Sequence, residues 1–303
     1  MKLGVGLPMT GAWATPEAML AVGTTAETLG YSSLWTYQRL LHPVDEEWGS
    51  PYHSVLDPVV ALSYVAAATT SVRLGLAILN MPYYSPIVLS KALTTLDRLS
   101  AGRLDVGLGL GWAPPEFDAA GAPYERRGAR GEEFIHCLQA IWTEPVVEFD
   151  GEFYRVPRSR VDPKPLQKPT PPLLLGGMAE KALRRAGRIA DGWISSSRAD
   201  LSKMGSSIEI VRAAATEAGR DPERLRFVVR GVVRLVDEPM ADDRKPLQGD
   251  AAQIRSDLER LSGVGVTEVF LDLNYDERTA ADDVDAEAGL ANAMKTITTL
   301  APG

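Results

Sequence analysis

The chain has 303 residues, long for one ordinary domain and short for two, and a single α/β barrel of about 250 residues carrying an insertion fits that length as well. Hydrophobic residues at 45%, charged residues at 24% and a mean hydropathy of -0.08 describe a soluble globular chain and exclude disorder. With 40 acidic against 32 basic residues the net charge is -8, which argues against a nucleic-acid partner.

Met1-Lys2-Leu3-Gly4-Val5-Gly6-Leu7 begins a strand at once and leaves no room for a secretory leader; no run of about 18 apolar residues occurs, so no membrane span is expected and the expected location is cytoplasmic. Lys2–Leu7 reads as the first strand. Pro16–Leu29 follows as a helix, with Thr15 as N-cap and Gly30 as its stop. Ser33–Thr36 is a second strand, and Asp57-Pro58 opens a helix running to about Thr70. Val72–Leu79 is a buried apolar strand, Pro86–Leu99 a helix, Leu104–Leu108 a fourth strand, and a helix spans about Gly128 to Trp142. Pro172–Leu175, Gly192–Ser195, Phe227–Leu235 and Thr267–Leu273 read as four more strands. Helices at about 179–189, 201–218, 250–262 and 285–300 follow them in turn. Apolar strands alternating with helices imply a parallel sheet buried on both faces, and eight such units predict a (β/α)8 TIM-type barrel over 1–303.

One stretch breaks the rhythm. Residues 144–172 hold a hairpin around Asp150-Gly151 and then a proline-rich run, an insertion between the fourth helix and the fifth strand. Within it Arg155, Arg158, Arg160, Lys164 and Lys168 oppose only Asp162, so this basic arm either steers an anionic ligand or is a solvated linker.

Gly107-Leu-Gly109-Leu-Gly111-Trp112 ends the fourth strand. A dinucleotide fingerprint needs glycine at the sixth place and a helix directly after it. Trp112 stands there instead, and Pro114-Pro115 delay the helix, so that reading fails. The glycines suit either a tight turn or the close approach of a flat ligand. Gly176-Gly177-Met178-Ala179 precedes a helix whose first turn holds Lys181, an arrangement that could bind an anion through free amides. His42 and His53 lie on the long loop after the second strand, with Trp48 and Tyr52, where either could serve as an acid or base. His136 falls within a helix as a packing or surface residue. The histidines show no metal-ligand spacing. There is no G-x-S-x-G elbow, and the single cysteine, Cys137, sits mid-helix; it excludes an intrachain disulfide and a thiolate-rich zinc site.

Two blocks carry a family resemblance. Leu96-Asp97-Arg98-Leu99-Ser100-Ala101-Gly102-Arg103-Leu104 continues into Gly109-Leu-Gly111-Trp112, Glu116, Gly121, Arg127-Gly128, Glu133, Leu138 and Trp142. The second block is Pro172 to Gly177, Leu183-Arg-Arg-Ala186 and Ala190-Asp191-Gly192-Trp193. Together they resemble the luciferase-like monooxygenase superfamily, and within it the F420-dependent oxidoreductases. The resemblance implies a TIM-type barrel, a homodimer, and a flavin or deazaflavin at the C-terminal rim. It places a bulge with a non-prolyl cis peptide at Ala77-Ile78, within Leu76 to Asn80 and so including Leu79, behind the cofactor ring. Gly109 would flank the ring; the amides of Gly176, Gly177, Met178 and Ala179, with Lys181, would hold the phosphate. Relatives often carry an Asp-His or Glu-His pair after the second strand, where this chain has Gln38-Arg39. Arginine cannot titrate near neutral pH, so Arg39 is an anchor for an anion and not a proton carrier. Trp112 stands where sugar-phosphate dehydrogenases of the family place glutamate, which points to a flat apolar substrate instead.

The expected function is hydride transfer between coenzyme F420 and a small organic substrate. Tyr37, Arg39 and Trp112 form the substrate pocket, Gln38 lies by the cofactor, and His53 or Glu116 manages the proton. The alternatives are a monooxygenase using reduced FMN from a partner reductase, and a flavin-binding protein without turnover.

Overall fold

A computed structural model describes residues 1–303. Eight parallel strands close on themselves: β1 (Lys2–Gly6), β2 (Ser33–Thr36), β3 (Arg73–Leu76), β4 (Leu104–Gly109), β5 (Leu173–Gly176), β6 (Gly192–Ile194), β7 (Arg226–Val232) and β8 (Glu268–Asp272). Each pairs with its chain neighbour, and β1 pairs with β8, so no edge is left open and the fold is a (β/α)8 barrel. The ring of helices is α1 (Pro16–Thr28), α2 (Pro58–Ala66), α3 (Pro86–Leu99), α4 (Arg127–Thr143), α5 (Glu180–Ile189), α6 (Met204–Glu217), α7 (Ala251–Gly263) and α8 (Ala286–Thr299). No helix is long and apolar enough to cross a membrane.

Local chemistry sets the helix starts. Thr15 Oγ1 accepts from Ala18 N at 3.1 Å, Asp57 accepts from Val59 and Val60 ahead of Pro58, and Asp250 and Gln253 form a reciprocal box on α7. α2 stops at Ala66, short of the expected Thr70. The buried Arg103 guanidinium takes the carbonyls of Ala66, Thr69 and Val72, so these carbonyls bond to a side chain and not to a further helical turn. The third strand is not continuous to Leu79: it ends at Leu76, breaks at a cis Ala77-Ile78 bond and resumes for Leu79–Asn80 against the end of β4. Pro114 and Pro115 do not delay a helix. They start a short one, Pro114–Ala119, since proline is at home in a first turn.

Apolar side chains fall into two bodies. The larger lies between the strands and the helix ring. The smaller fills the barrel lumen with Trp35, Leu174, Val228, Phe270 and their neighbours; Trp35 and Phe270 stack at 5.2 Å. Gly75 makes room for this plug, because a Cβ there would stand 2.2 Å from the Trp35 ring. The lumen is therefore filled at this level, and a cavity opens above it at the C-terminal rim.

Residues 144–172 form two parts. Strands Val147–Asp150 and Arg155–Ser159 pair antiparallel, and their turn is held on α4 by the Glu133 carboxylate, which accepts from the amides of Glu152, Phe153 and Tyr154. The proline-rich part then runs to the N-terminal rim. There Asp97 accepts from Leu166 N and Gln167 N, and Gln167 Nε2 donates to Leu104 O at the start of β4.

Candidate active site

A cavity of about 480 Å3 opens at the C-terminal ends of the strands. Its lining joins residues that follow β2 (Tyr37, Gln38, Arg39), the Ala77-Ile78 break with Asn80, the end of β4 from Gly109 to Trp112, and Gly176 to Ala179 after β5. Most of the expected cofactor and pocket positions thus meet in one space. Tyr52, Ser195 to Arg198, Arg127, Arg230 and Tyr275 complete it.

One wall is a flat apolar seat. A Cβ on Gly109 would stand 1.8 Å from Ile78 Cδ1, and one on Gly176 would stand 3.3 Å from the same atom, so both glycines leave Ile78 bare to the cavity. Gln38 fixes this wall: its Oε1 accepts from Asn80 N at 2.9 Å, while its Nε2 donates to the Tyr84 hydroxyl. At one end of the seat lies the loop before α5. The amides of Gly177, Met178 and Ala179 have no acceptor within the chain, and Gly177 adopts φ +132. Free amides at the N-terminus of a ten-residue helix suit an anion.

The opposite end is aromatic and cationic. Arg39 lies over Trp112 at 4.8 Å and over Tyr52 at 5.2 Å, with Glu116 Oε2 at 3.3 Å from its Nη1. Arg198 lies over Trp112 at 5.3 Å and Tyr52 at 5.7 Å and has no carboxylate partner. Arg230 is sandwiched by Tyr37 at 4.3 Å and Tyr275 at 4.9 Å. Four arginines line the cavity, and no aspartate, glutamate or histidine does.

The proton-carrying candidates therefore change. Glu116 is completely buried beneath the lining, where it accepts from Leu40 N at 2.7 Å and Tyr83 Oη at 3.0 Å and pairs with Arg39. Its capacity is consumed in holding Arg39. His53 turns outward to Asp282 at 3.0 Å, and its neighbour Tyr52 enters the cavity instead. Burial opposes ionisation of Tyr52. The Tyr275 and Ser197 hydroxyls and the Arg230 and Arg198 charges outweigh it and hold the phenol below the ordinary tyrosine value. Burial pushes Tyr37 and Tyr275 the other way, to well above that value.

Other expectations also shift. Leu79 is buried behind the seat and Lys181 stands exposed on the first turn of α5, both outside the lining. The basic arm does not face the cavity: Lys164 Nζ donates to Ile141 O at 2.6 Å near the end of α4, and Arg155 pairs with Asp150 at 3.5 Å. Arg230 was missed because it lies inside an apolar strand. The available signal was its parity with Val228, which puts it on the inward face.

Parallel closure with a cavity at the C-terminal rim is the architecture of a TIM barrel, and that rim is where enzymes of this fold carry their active sites. The family model for luciferase-like monooxygenases matches residues 2–290, and the chain belongs to that family. An uncharacterized protein of Mycobacterium tuberculosis (strain ATCC 25618 / H37Rv) is 31% identical over 274 residues, covering 86% of this chain and 88% of that one. An FMNH(2)-dependent dimethylsulfone monooxygenase of Pseudomonas putida is 36% identical over 156 residues, covering 50% of this chain and 42% of that one. Among solved structures, an F420-dependent secondary alcohol dehydrogenase in complex with an F420-acetone adduct superposes with a TM-score of 0.77 at 19% identity, over 99% of each chain.

Proposed function

We propose that the protein is an F420-dependent oxidoreductase acting on a small organic substrate at the C-terminal rim. F420, when bound, supplies a two-electron hydride carrier at C5 of its deazaflavin ring. The residues present fit such a group: Ile78, Gly109 and Gly176 offer a flat seat, and the Gly177 to Ala179 amides offer donors to a phosphate. The observation that favours F420 over a shorter flavin is the charge beyond that loop. Arg127 lines the cavity and Lys181 is exposed beside it, and neither has a carboxylate partner. FMN ends at its phosphate, whereas F420 continues into a carboxylate tail that these cations would meet.

The chain's own residues orient substrate and proton. Trp112, Tyr37 and Tyr52 enclose the space beside the seat, and holding two reactants in line there supplies several kcal/mol of catalysis. Tyr52, with its lowered phenol, is the group that holds or delivers a proton.

A second reading is a reduced-FMN monooxygenase fed by a reductase, favoured by the likeness to the dimethylsulfone monooxygenase over 156 residues. Titrating both cofactors into the full chain separates the two. The expected result is tighter binding of F420, with Arg127→Ala weakening F420 by about tenfold and FMN by much less. Tighter binding of FMN, unaffected by Arg127→Ala, would overturn the F420 reading in favour of the second.

A further inference from the structure

Strand β7 presents Arg226, Val228 and Arg230 to the barrel interior, and β8 presents Glu268, Phe270 and Asp272. At the lower end, Arg226 meets two carboxylates: Nη1 lies 2.8 Å from Asp105 Oδ1 and Nη2 lies 3.0 Å from Glu268 Oε2. At the upper end, Arg230 donates from Nε alone, to Asp272 Oδ2 at 2.6 Å. Its Nη2 is buried with no acceptor, although the residue is only 7% exposed and lines the cavity. An unpaired buried donor is costly, so groups of this kind in a cavity wall are expected to meet an acceptor from a ligand.

The position separates this acceptor from the cofactor seat. In the closed order of strands β7 lies four places from β3 in either direction, directly across the barrel from the Ala77-Ile78 wall. Arg198, without a carboxylate partner, follows the adjacent strand β6 and lies over Tyr52 and Trp112. Asp272 is itself engaged by Asn274 through its other oxygen, so it balances one charge while leaving the Nη edge of Arg230 unpaired.

We infer that this edge, with Arg198, takes the carboxylate of the substrate, and that the substrate class is small, flat or apolar carboxylic acids. The inference deepens the reading of this cavity as an oxidoreductase site and rests on it for the word substrate. A planar guanidinium edge matches a carboxylate in two parallel hydrogen bonds, and the aromatic walls accept the apolar remainder.

The test uses benzoate and its neutral isostere benzamide, titrated into the full chain without cofactor and read by quenching of tryptophan fluorescence. Trp112 lines the cavity and Trp48 packs on it at 5.1 Å. Benzoate is expected to bind saturably, with benzamide at least about tenfold weaker. Arg230→Lys, which keeps the charge beside Asp272 but loses the planar edge, is expected to remove most of that preference while leaving the F420 and FMN dissociation constants within about twofold. Arg198→Ala, on an exposed loop, should lower benzoate affinity to a smaller degree and needs no core rearrangement. Equal affinities for benzoate and benzamide, or no benzoate binding, would overturn the inference. So would an Arg230→Lys effect confined to the cofactor, which would give the guanidinium to a ring carbonyl. A chain that prefers benzoate yet binds neither F420 nor FMN keeps the carboxylate site and loses the cofactor reading. A chain that binds F420 without preferring benzoate does the reverse.

Discussion

The two rims of this barrel use the same residue types to opposite ends. At the N-terminal rim the buried charges are answered within the chain. Asp105, fully buried, meets Arg73 Nη2 at 2.5 Å and Arg226 Nη1 at 2.8 Å, and together these hold its carboxyl below the usual range against the opposing effect of burial. Glu268 accepts from Arg226, Ser33 and Trp35, and Arg103 gives five hydrogen bonds, four of them to carbonyls. At the C-terminal rim, Arg230 Nη2 and three loop amides have no acceptor. The difference teaches where to look for function in a barrel whose lumen is filled. A satisfied ion network marks a structural end, and surplus donors mark the end built for a ligand.

The largest effect should come from breaking the structural end. Asp105→Asn leaves Arg73 and Arg226 short of a buried counter-charge, and stability should fall by about 3–5 kcal/mol in denaturant titration. Cofactor affinity measured well below the melting transition should stay the same; a parallel loss of affinity would show that the two rims are not independent.

A smaller and opposite result is expected from Ala179→Pro. Ala179 has φ -70 and an amide that serves no group of the chain, so proline fits the backbone and removes only a donor. Affinity for a phosphate-bearing cofactor should drop about tenfold with no loss of melting temperature. Unchanged affinity would remove this amide from the anion site.

The smallest effect returns to the N-terminal rim. Burial would raise the Glu27 carboxyl, but the amides of Ser71, Val72 and Thr70 and the Ser71 hydroxyl outweigh it and lower the group from 4.5 to about 2. The folded form is the more acidic one, so this contribution is complete above about pH 4.5 and is lost as the pH falls through about 2. Glu27→Gln should cost about 1–2 kcal/mol at neutral pH and flatten the acid-side decline of melting temperature between those values.

Much of this was legible in the sequence, because alternating strand and helix periods and the glycine pairs at strand ends are local signals. The eight strands, the break at Ala77-Ile78 and the amide loop after β5 all followed from them or from the family likeness they carry. The charge partners did not. Glu116 and His53 are plausible proton carriers by type, and only three-dimensional placement shows one locked under Arg39 and the other turned to Asp282. The basic arm stayed open between two readings for the same reason: a run of cations fixes local charge, whereas its direction depends on Lys164 and Gln167 finding carbonyls at the far rim. Arg230 needed both strand parity and the knowledge that only one of its nitrogens is engaged.

The central claim is that the unpartnered groups of the C-terminal rim are the ones a ligand engages. A crystal structure of the chain with F420 bound tests it most directly. The account predicts the deazaflavin ring against Ala77-Ile78 and Gly109, the phosphate on the Gly177 to Ala179 amides, and Arg230 on the opposite wall, not bonded to the ring. A phosphate held elsewhere, with those amides still lacking an acceptor, would contradict it.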